Sequence, residues 1–334
     1  MNLFPSLAAL PPDFGPVVAT IGNFDGVHRG HTWVIDQVIA RSRSLGLRSL
    51  AITFDPHPIR VLRPDAPHVL ITPTPEKLEL LAQTGIDATL LIPFTPELSR
   101  LSAREFARQI LADACRVQEV HEGENFRFGY QAEAGITGEG GLEALGRELG
   151  FSVRAYAPHI LRGAPVSSSR IRGLIAEGKL SHARALLGRS FAVKSTPASG
   201  RGYGTRYTVP TINLAPYEEL LPAKGVYVTR MKVGEGSTAE TFQAVTNIGN
   251  RPTFGDLNDG QPALTVESHL LDFHPLTLTE STPLELTFLH RLRPEIRWPS
   301  PEALRQQIGR DVAKANRFFA LAQLLVRGNA LIQT

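Results

Sequence analysis

The sequence has a single cysteine, Cys115, which excludes an intrachain disulfide and any cysteine-based metal site. It sits among small and apolar residues in ADACRV and reads as a buried, inert thiol. Long apolar runs are missing too, and no stretch approaches the length needed to span a bilayer. The opening MNLFPSLAALPPDF lacks a basic segment, and Pro5, Pro11 and Pro12 interrupt its apolar run. That argues against a secretory leader and for a cytoplasmic protein without a membrane partner. Charge of one sign is also lacking, since 35 Lys and Arg stand against 32 Asp and Glu. There is no basic stripe of the kind that tracks a nucleic-acid backbone, so the local arginine clusters suit small anionic ligands better. Internal repeats and low-complexity tracts are absent.

What the sequence does hold is enough material for two cores. A chain of 334 residues, 42% hydrophobic and 20% charged, divides naturally into two globular domains. From Pro16 to about Gly188, short apolar runs alternate with amphipathic helices. VVATIG (17–22) reads as a buried strand, His31 to Leu45 as a helix, and SLAITF (49–54) as the next strand. A helix around Lys77–Leu81, the strand ATLLIPF (88–94), a helix over Ala103–Cys115 and the strand VQEVHEG (117–123) follow. That alternation predicts an α/β domain with a doubly wound parallel sheet. From about Ser190 to His290 the pattern becomes β-rich, with YVTRMKV, FQAVTNIG, LTVESHLL and LELTFLH separated by Gly, Pro, Asn and Asp. This predicts an antiparallel barrel. A terminal helix from Pro301 through Phe319 and on to about Val326 follows, capped by Ser300. The expected domains are 1–187 and 188–334.

The sharpest local signal is IGNFDGVHRGH (21–31), at the carboxyl end of the first strand of the parallel sheet. Ligands of open α/β sheets bind there. Gly22, Gly26 and Gly30 permit tight turns and close approach, and His28 and His31 stand at a helix entrance that favours phosphate. TFDPHP (53–58) ends the neighbouring strand and faces the same crevice. GENFRFG (123–129) follows a third strand. VSSSRIR (166–172) opens a helix, with Ser168 or Ser169 as cap and Arg170 and Arg172 in the first turn. Each piece alone has a plain reading: a glycine turn with surface histidines, a proline pair ending a strand, a serine capping a helix. Arginines at a helix start oppose the dipole unless a polyphosphate binds there.

Together and in this order, these segments resemble the FMN adenylyltransferase module of bacterial bifunctional flavin-synthesis enzymes, over residues 15 to 188. The resemblance implies that Gly22, Asn23, Phe24, Asp25, His28, Gly30 and His31, with Ser168, Ser169 and Arg172, bind ATP. His28 and His31 would act on its phosphates. Phe54, Asp55, Pro56, His57 and Pro58, with Asn125, Arg127 and Phe128, would form the FMN side. The implied reaction is in-line attack of the FMN phosphate on the α-phosphorus of ATP, releasing pyrophosphate. After Phe128 and Gly129 the family usually carries a short basic turn, whereas this chain reads YQAEAGITGEGG (130–141) with no Lys or Arg.

In the second half, SGRGYGTRYT (199–208) leads into VPTINL (209–214). Glycines in such a loop let backbone amides cradle phosphate, although a flexible hairpin would look the same. Thr211 and Asn213 offer hard oxygen donors suited to Mg²⁺. NIGNRPTF (247–254), TVESHLLDF (265–273) and LRPEIRW (292–298) follow. By pattern alone, Glu267 and His269 form the outward face of a half-exposed strand. The order resembles the riboflavin kinase module of the same enzymes, over residues 188 to 320. It implies Glu267 as general base for the riboflavin 5′-hydroxyl, Thr211 and Asn213 at Mg²⁺, and Gly200, Gly202, Gly204 and Pro210 on ATP. Riboflavin, FMN and FAD are then substrates or products, with ATP as co-substrate. The chain departs from the family at Pro197, Thr205, Thr208 and Ile212. Two other functions compete: an adenylyltransferase whose barrel is a non-catalytic flavin-binding or interaction module, and a nucleotidyltransferase for a different phosphate ester.

Overall fold

The structure is a computed structural model that describes residues 1–198, 211–250, 264–274, 276 and 278–332, with side chains to Leu324. Two compact units divide at Ile171/Arg172.

The first unit is built on β1 (Asn2–Phe4), β2 (Val17–Ile21), β3 (Arg48–Asp55), β4 (Ala88–Pro93), β5 (Val117–Gly123) and β6 (Ser152–Tyr156). They form one sheet in the order β1-β4-β3-β2-β5-β6, and every pairing is parallel. All five residues of β2 are buried, as a continuous apolar run in a central parallel strand should be. From β2 the chain moves outward to β3 and β4, then returns to the opposite side for β5 and β6. The switch point therefore lies at the carboxyl end of β2, where this architecture opens its crevice.

Helices cover both faces. They are α1 (Arg29–Leu45), α2 (Pro58–Leu62), α3 (Thr74–Gln83), α4 (Ala103–Phe106) and α5 (Leu142–Leu149). A hairpin of β7 (Ile160–Leu161) and β8 (Ala164–Pro165) leads to α6 (Ser168–Ala176). Along β3 the pleat sends Leu50, Ile52 and Phe54 into one core and Ala51 into another with Ile35, Ile39 and Leu81. The helix expected over Ala103–Cys115 changes winding. A Ser102/Glu105 capping box opens α4, and Ala107–Ala114 then follow as a π-helix, ending with the Cys115 amide on the Ile110 carbonyl. The wider turn keeps Ala107, Ile110 and Leu111 buried. Cys115 is buried as expected, and burial pushes its thiol pKa up to about 12.

The second unit contains α7 (Leu180–Leu187), β9 (Phe191–Ser195), β10 (Thr211–Asn213), β11 (Gly225–Val233), β12 (Glu240–Asn250), β13 (Leu264–Leu270), β14 (Leu284–Pro294) and α8 (Pro301–Ile332). The strands form an antiparallel sheet in the order β10-β13-β12-β11-β14-β9. A bridge between Pro197 and Leu214 joins its two edges, which makes the sheet a barrel. Pro197 fits there because its neighbours carry the bonds: Ala198 N–H donates to Asn213 O, and Ala215 N–H to Thr196 O, each at 2.8 Å. The barrel interior holds Tyr227, Met231 and Phe288 beside a hydroxyl chain of Thr229, Thr246 and Ser268 with spacings of 2.7 and 2.8 Å. On the outer face Val226, Val228 and Val245 pack under Ala315 and Phe319 of α8. Ser300 caps α8 by accepting from the Ala303 amide at 3.2 Å. None of the described helices is long and apolar enough to cross a membrane.

Candidate active sites

The loop after β2 folds back on itself before entering α1. Phe24 and Val27 take positive φ angles of 48° and 35° and are buried, so the surrounding core holds them in a conformation that side chains usually avoid. His28 then caps α1, its Nδ1 accepting from the His31 amide at 3.2 Å. A neutral imidazole that accepts at Nδ1 carries its proton on Nε2. The His28 and His31 rings stack at 3.6 Å and 13°, and Phe24 meets His31 edge-on at 5.2 Å. Gly30 leaves room for the stack, since a Cβ there would lie 3.2 Å from the His28 ring, close enough that the ring would have to shift by a few tenths of an ångström.

Both histidines line a cleft of about 430 Å³ with Gly22, Phe24, Gly30, Ser168 and Ser169. Two helix starts, those of α1 and α6, therefore border one space, an arrangement suited to a polyphosphate. The cap of α6 is Ser167, whose Oγ accepts from the Arg170 amide at 3.3 Å. This corrects the expected cap at Ser168 or Ser169. Ser168 Oγ is used otherwise, donating to the Asp25 carbonyl at 2.8 Å and tying α6 to the histidine loop. Asp25 itself turns away from the cleft, and its Oδ1 accepts from the amides of Ile71 and Thr72 at 2.9 and 3.1 Å. Arg170 spends its guanidinium on the carbonyls of Leu161, Ala164 and Pro165. Arg172 begins the second unit and does not line the cleft.

Glu122 is a wall residue that the sequence motifs did not mark. Its buried carboxyl accepts from Thr20 Oγ1 at 3.2 Å and from the Ile21 amide, and burial raises its pKa well above the usual carboxylate range. The available signal was chemical: Glu119, His121 and Glu122 occupy a strand flanked on both sides by parallel neighbours, where apolar residues are the rule.

A second cavity, of about 680 Å³, opens over the ends of β3 and β4. Phe54, Phe94, Phe106, Phe126 and Phe128 give it a flat apolar lining, and Pro58, Asn125 and Arg127 line it too. Phe54 and Phe94 meet edge-on at 5.5 Å, while Phe126 and Phe128 stack at 5.5 Å. Asn23, expected with the ATP phosphates, lines this cavity instead. Asp55, Pro56 and His57 do not line it. Asp55 accepts from Thr74 Oγ1 at 2.7 Å, and His57 caps α2 through the Ile59 amide at 3.2 Å. Arg127 donates from Nε and Nη2 to the Ala132 carbonyl, holding its own loop in place. The two cavities share Ile21, Gly22, Asn125 and Phe126, so they meet at the switch point.

In the second unit, strand register assembles the site. Glu267 on β13 stands opposite Asn213 of β10 and Asn247 of β12. His269, two residues on, stands opposite Thr211 and Val245. Val266, Ser268 and Leu270 are buried while Glu267 and His269 are half-exposed, the alternation expected of an outward face. That face and α8 enclose about 530 Å³, lined by Thr211, Asn247, Glu267, Trp298, Ile308 and Asp311 among others. Asn213 does not line the space. Asp311 is 2% exposed and accepts from Arg293 Nε and Gln307 Nε2, both at 2.9 Å. The Arg293 guanidinium lies 5.4 Å from the Trp298 ring centre. Asp311 was missed in the sequence, although an acid on the apolar stripe of Ile308, Val312 and Ala315 is the kind of exception that marks a site. Gly200, Gly202, Gly204, Thr205, Thr208 and Pro210 lie outside the described residues.

Comparison with known proteins follows the same division. Residues 11–170 match a family model described as FAD synthetase, and residues 187–319 match one described as riboflavin kinase. A bifunctional riboflavin kinase/FMN adenylyltransferase of Pseudomonas fluorescens is 33% identical, over 96% of this chain and 98% of that protein. The enzyme of the same name from Escherichia coli K12 is 32% identical, over 92% and 94%. A crystal structure titled macrolide-efflux protein, from Streptococcus pneumoniae, shares the fold with a TM-score of 0.78 at 24% identity, covering 94% of this chain and 98% of that one.

Proposed function

Because the chain belongs to the family of bifunctional riboflavin kinase/FMN adenylyltransferases, we propose how its own residues divide the two reactions. The chain uses ATP to phosphorylate riboflavin to FMN, and it adenylylates FMN to FAD with release of pyrophosphate. In this reading, residues 1–187 carry the adenylyl transfer and residues 188–334 the kinase reaction.

The observation that carries the adenylyltransferase assignment is the shared wall at Ile21, Gly22, Asn125 and Phe126. ATP in the histidine-lined cleft and FMN in the phenylalanine-lined cavity would bring the FMN phosphate and the α-phosphorus together at that wall. His28 and His31 donate hydrogen bonds to the ATP phosphates as charge moves toward the leaving pyrophosphate. The α1 and α6 amides add to that stabilisation. Positioning and charge stabilisation then supply the catalysis, without a covalent intermediate. The aromatic lining suits an isoalloxazine ring.

For the kinase, Glu267 accepts the proton of the riboflavin 5′-hydroxyl as that oxygen attacks the γ-phosphorus of ATP. Thr211 and Asn213 would hold Mg²⁺. A hydroxyl and an amide oxygen, opposite His269 and Glu267 in register, are hard donors of the type this ion takes while keeping most of its waters. Bound there, the ion would offset phosphate charge. By resemblance, Gly200, Gly202, Gly204 and Pro210 cradle the phosphates. Both reactions draw on ATP and small flavins, which supports a cytoplasmic setting and small-molecule partners.

Incubation with riboflavin, ATP and Mg²⁺, with products separated by chromatography, tests the reading. FMN followed by FAD is expected. FAD formed only from supplied FMN would reduce the barrel to a binding module.

A further inference from the structure

Strand β5 carries a hydrogen-bonded chain for which adenylyl transfer, as described, has no use. Glu119 accepts from Arg41 Nε at 2.9 Å, from Arg154 of β6, and from His121 Nε2 at 2.9 Å. On its other side, His121 Nδ1 lies 2.8 Å from the Tyr156 hydroxyl. Glu119 and His121 are 3% and 1% exposed, so bulk water does not complete their bonding.

One arrangement of protons satisfies this chain. Burial pushes the Glu119 carboxyl up, but hydrogen bonds from Arg41, Arg154 and His121 outweigh it and keep the group below the usual carboxylate range. Burial lowers the His121 pKa against the pull of Glu119, and burial raises the Tyr156 phenol. An ionised carboxylate only accepts, so the neutral imidazole holds its proton at Nε2 and offers Nδ1 as acceptor. Tyr156 must donate to that Nδ1. Its oxygen is then left with lone pairs alone.

Tyr156 lines the histidine cleft, at the end of β6. Trp33 of α1 meets it edge-on at 4.9 Å and 86°, and His159 lies nearly parallel to Trp33 at 6.4 Å and 26°. These three rings form an aromatic corner on the β5–β6 side of the switch point, whereas in the flavin cavity Phe54 belongs to the end of β3 and Phe94 follows β4. A flat base seated against that corner would present its edge to an oxygen able only to accept.

Resting on the assignment of this cleft to ATP, we infer that the Tyr156 oxygen accepts a hydrogen bond from the exocyclic amino group of adenine. Tyr156 is thereby a specificity-determining residue, and His121 and Glu119 are positioning residues that fix its polarity. A purine with a carbonyl oxygen at that place would set acceptor against acceptor.

The test uses the whole enzyme with FMN and three triphosphates: ATP, purine riboside triphosphate, which lacks only the amino group, and inosine triphosphate, which carries a carbonyl oxygen there and a proton on N1. The parent should prefer ATP in kcat/KM by about tenfold or more, the effect of one unmade hydrogen bond in a shielded site. Tyr156→Phe should bring ATP and purine riboside triphosphate close to parity. His121→Ala keeps the phenol but releases its proton to turn, so relative use of inosine triphosphate should rise. A merely structural Tyr156 would lower all three rates in parallel and leave the ratios unchanged, which overturns the inference while the ATP cleft stands. If the parent forms no dinucleotide from ATP, the cleft assignment and the inference both fall. Where a variant turns over too slowly, dissociation constants of the same three nucleotides give the same ratios.

Discussion

The Nδ1 of His28 is committed to the start of α1, which separates what this ring does for the fold from the donor role proposed for it in the reaction. Replacing it with alanine removes both a helix cap, about 1 kcal/mol, and a preorganised donor whose loss costs about a hundredfold or more in rate. Asparagine is itself a good cap. His28→Asn is therefore expected to keep the parent's Tm yet lose FAD formation about as severely as His28→Ala, with riboflavin phosphorylation unaffected. His31→Ala should lose FAD formation on the same scale. Near-parent FAD synthesis in these variants, followed by chromatography, would remove the histidines from the reaction. Glu267 offers the complementary experiment, because the role proposed for it is confined to the barrel. Glu267→Gln keeps shape and hydrogen bonding but cannot take a proton, so FMN formation should fall about a hundred- to ten-thousand-fold. FAD synthesis from supplied FMN should be unchanged, and an unimpaired kinase rate would exclude Glu267 as the base.

Among the elements, α3 is tied to the end of β3 by one unusual bond. Lys77 is buried and donates from Nζ to the carbonyl of Phe54, a residue that lines the phenylalanine-rich cavity, at 2.9 Å. Burial lowers its pKa from 10.5 to about 8, opposed by Asp55 and Asp25. A lysine depressed in the folded state adds stability that is fully present above the unfolded value and is lost as pH falls through the folded one. The unfolding free energy of the parent, measured against Lys77→Met, should therefore rise from about pH 8 to pH 10.5, by a few kcal/mol at most. Urea denaturation at pH 7.5 and pH 10 checks the sign, and a flat or falling difference would refute the depressed pKa. The elements that the sequence made legible were those with strong periodicity: β2 through β5, α1, the long barrel strands and α8. Those it left unnamed have physical reasons to be quiet. β6 is an edge strand with no fully buried residue, and so lacks an apolar signature. No propensity separates the three serines 167–169, and only geometry selects Ser167 as the cap. The π-winding of residues 107–114 keeps an amphipathic pattern that also fits an α-helix. At the site the glycines and histidines were legible because few other residues can do what they do. Asp25, Asp55 and His57 looked equally chemical, but their partners, Ile71, Thr72, Thr74 and Ile59, include loop groups far off in sequence that no local motif reveals.

For the whole molecule, the question is to which half α7 belongs. The proposed division of catalysis falls near residue 187, yet the compact units divide at Ile171/Arg172. The difference arises because α7 packs on β9 and β14 and buries Leu180, Ala183, Leu186 and Leu187. Arg291 of β14 reinforces that side, donating to the Glu177 carbonyl at 3.3 Å and the Lys224 carbonyl at 2.6 Å. Burying each leucine is worth roughly 1.5–3 kcal/mol against an exposed reference. A domain of this size has a net stability of only about 5–15 kcal/mol, so removing α7 takes away a large part of it. A fragment beginning at Lys179 should therefore fold and melt cooperatively with riboflavin kinase activity. One beginning at Gly188 should melt at least about 10 °C lower or fail to fold, despite containing every residue assigned to the kinase reaction. Circular-dichroism melts and kinase assays on the two fragments decide the matter. Equal melting temperatures would return α7 to the adenylyltransferase half and show that its leucines do not support the barrel.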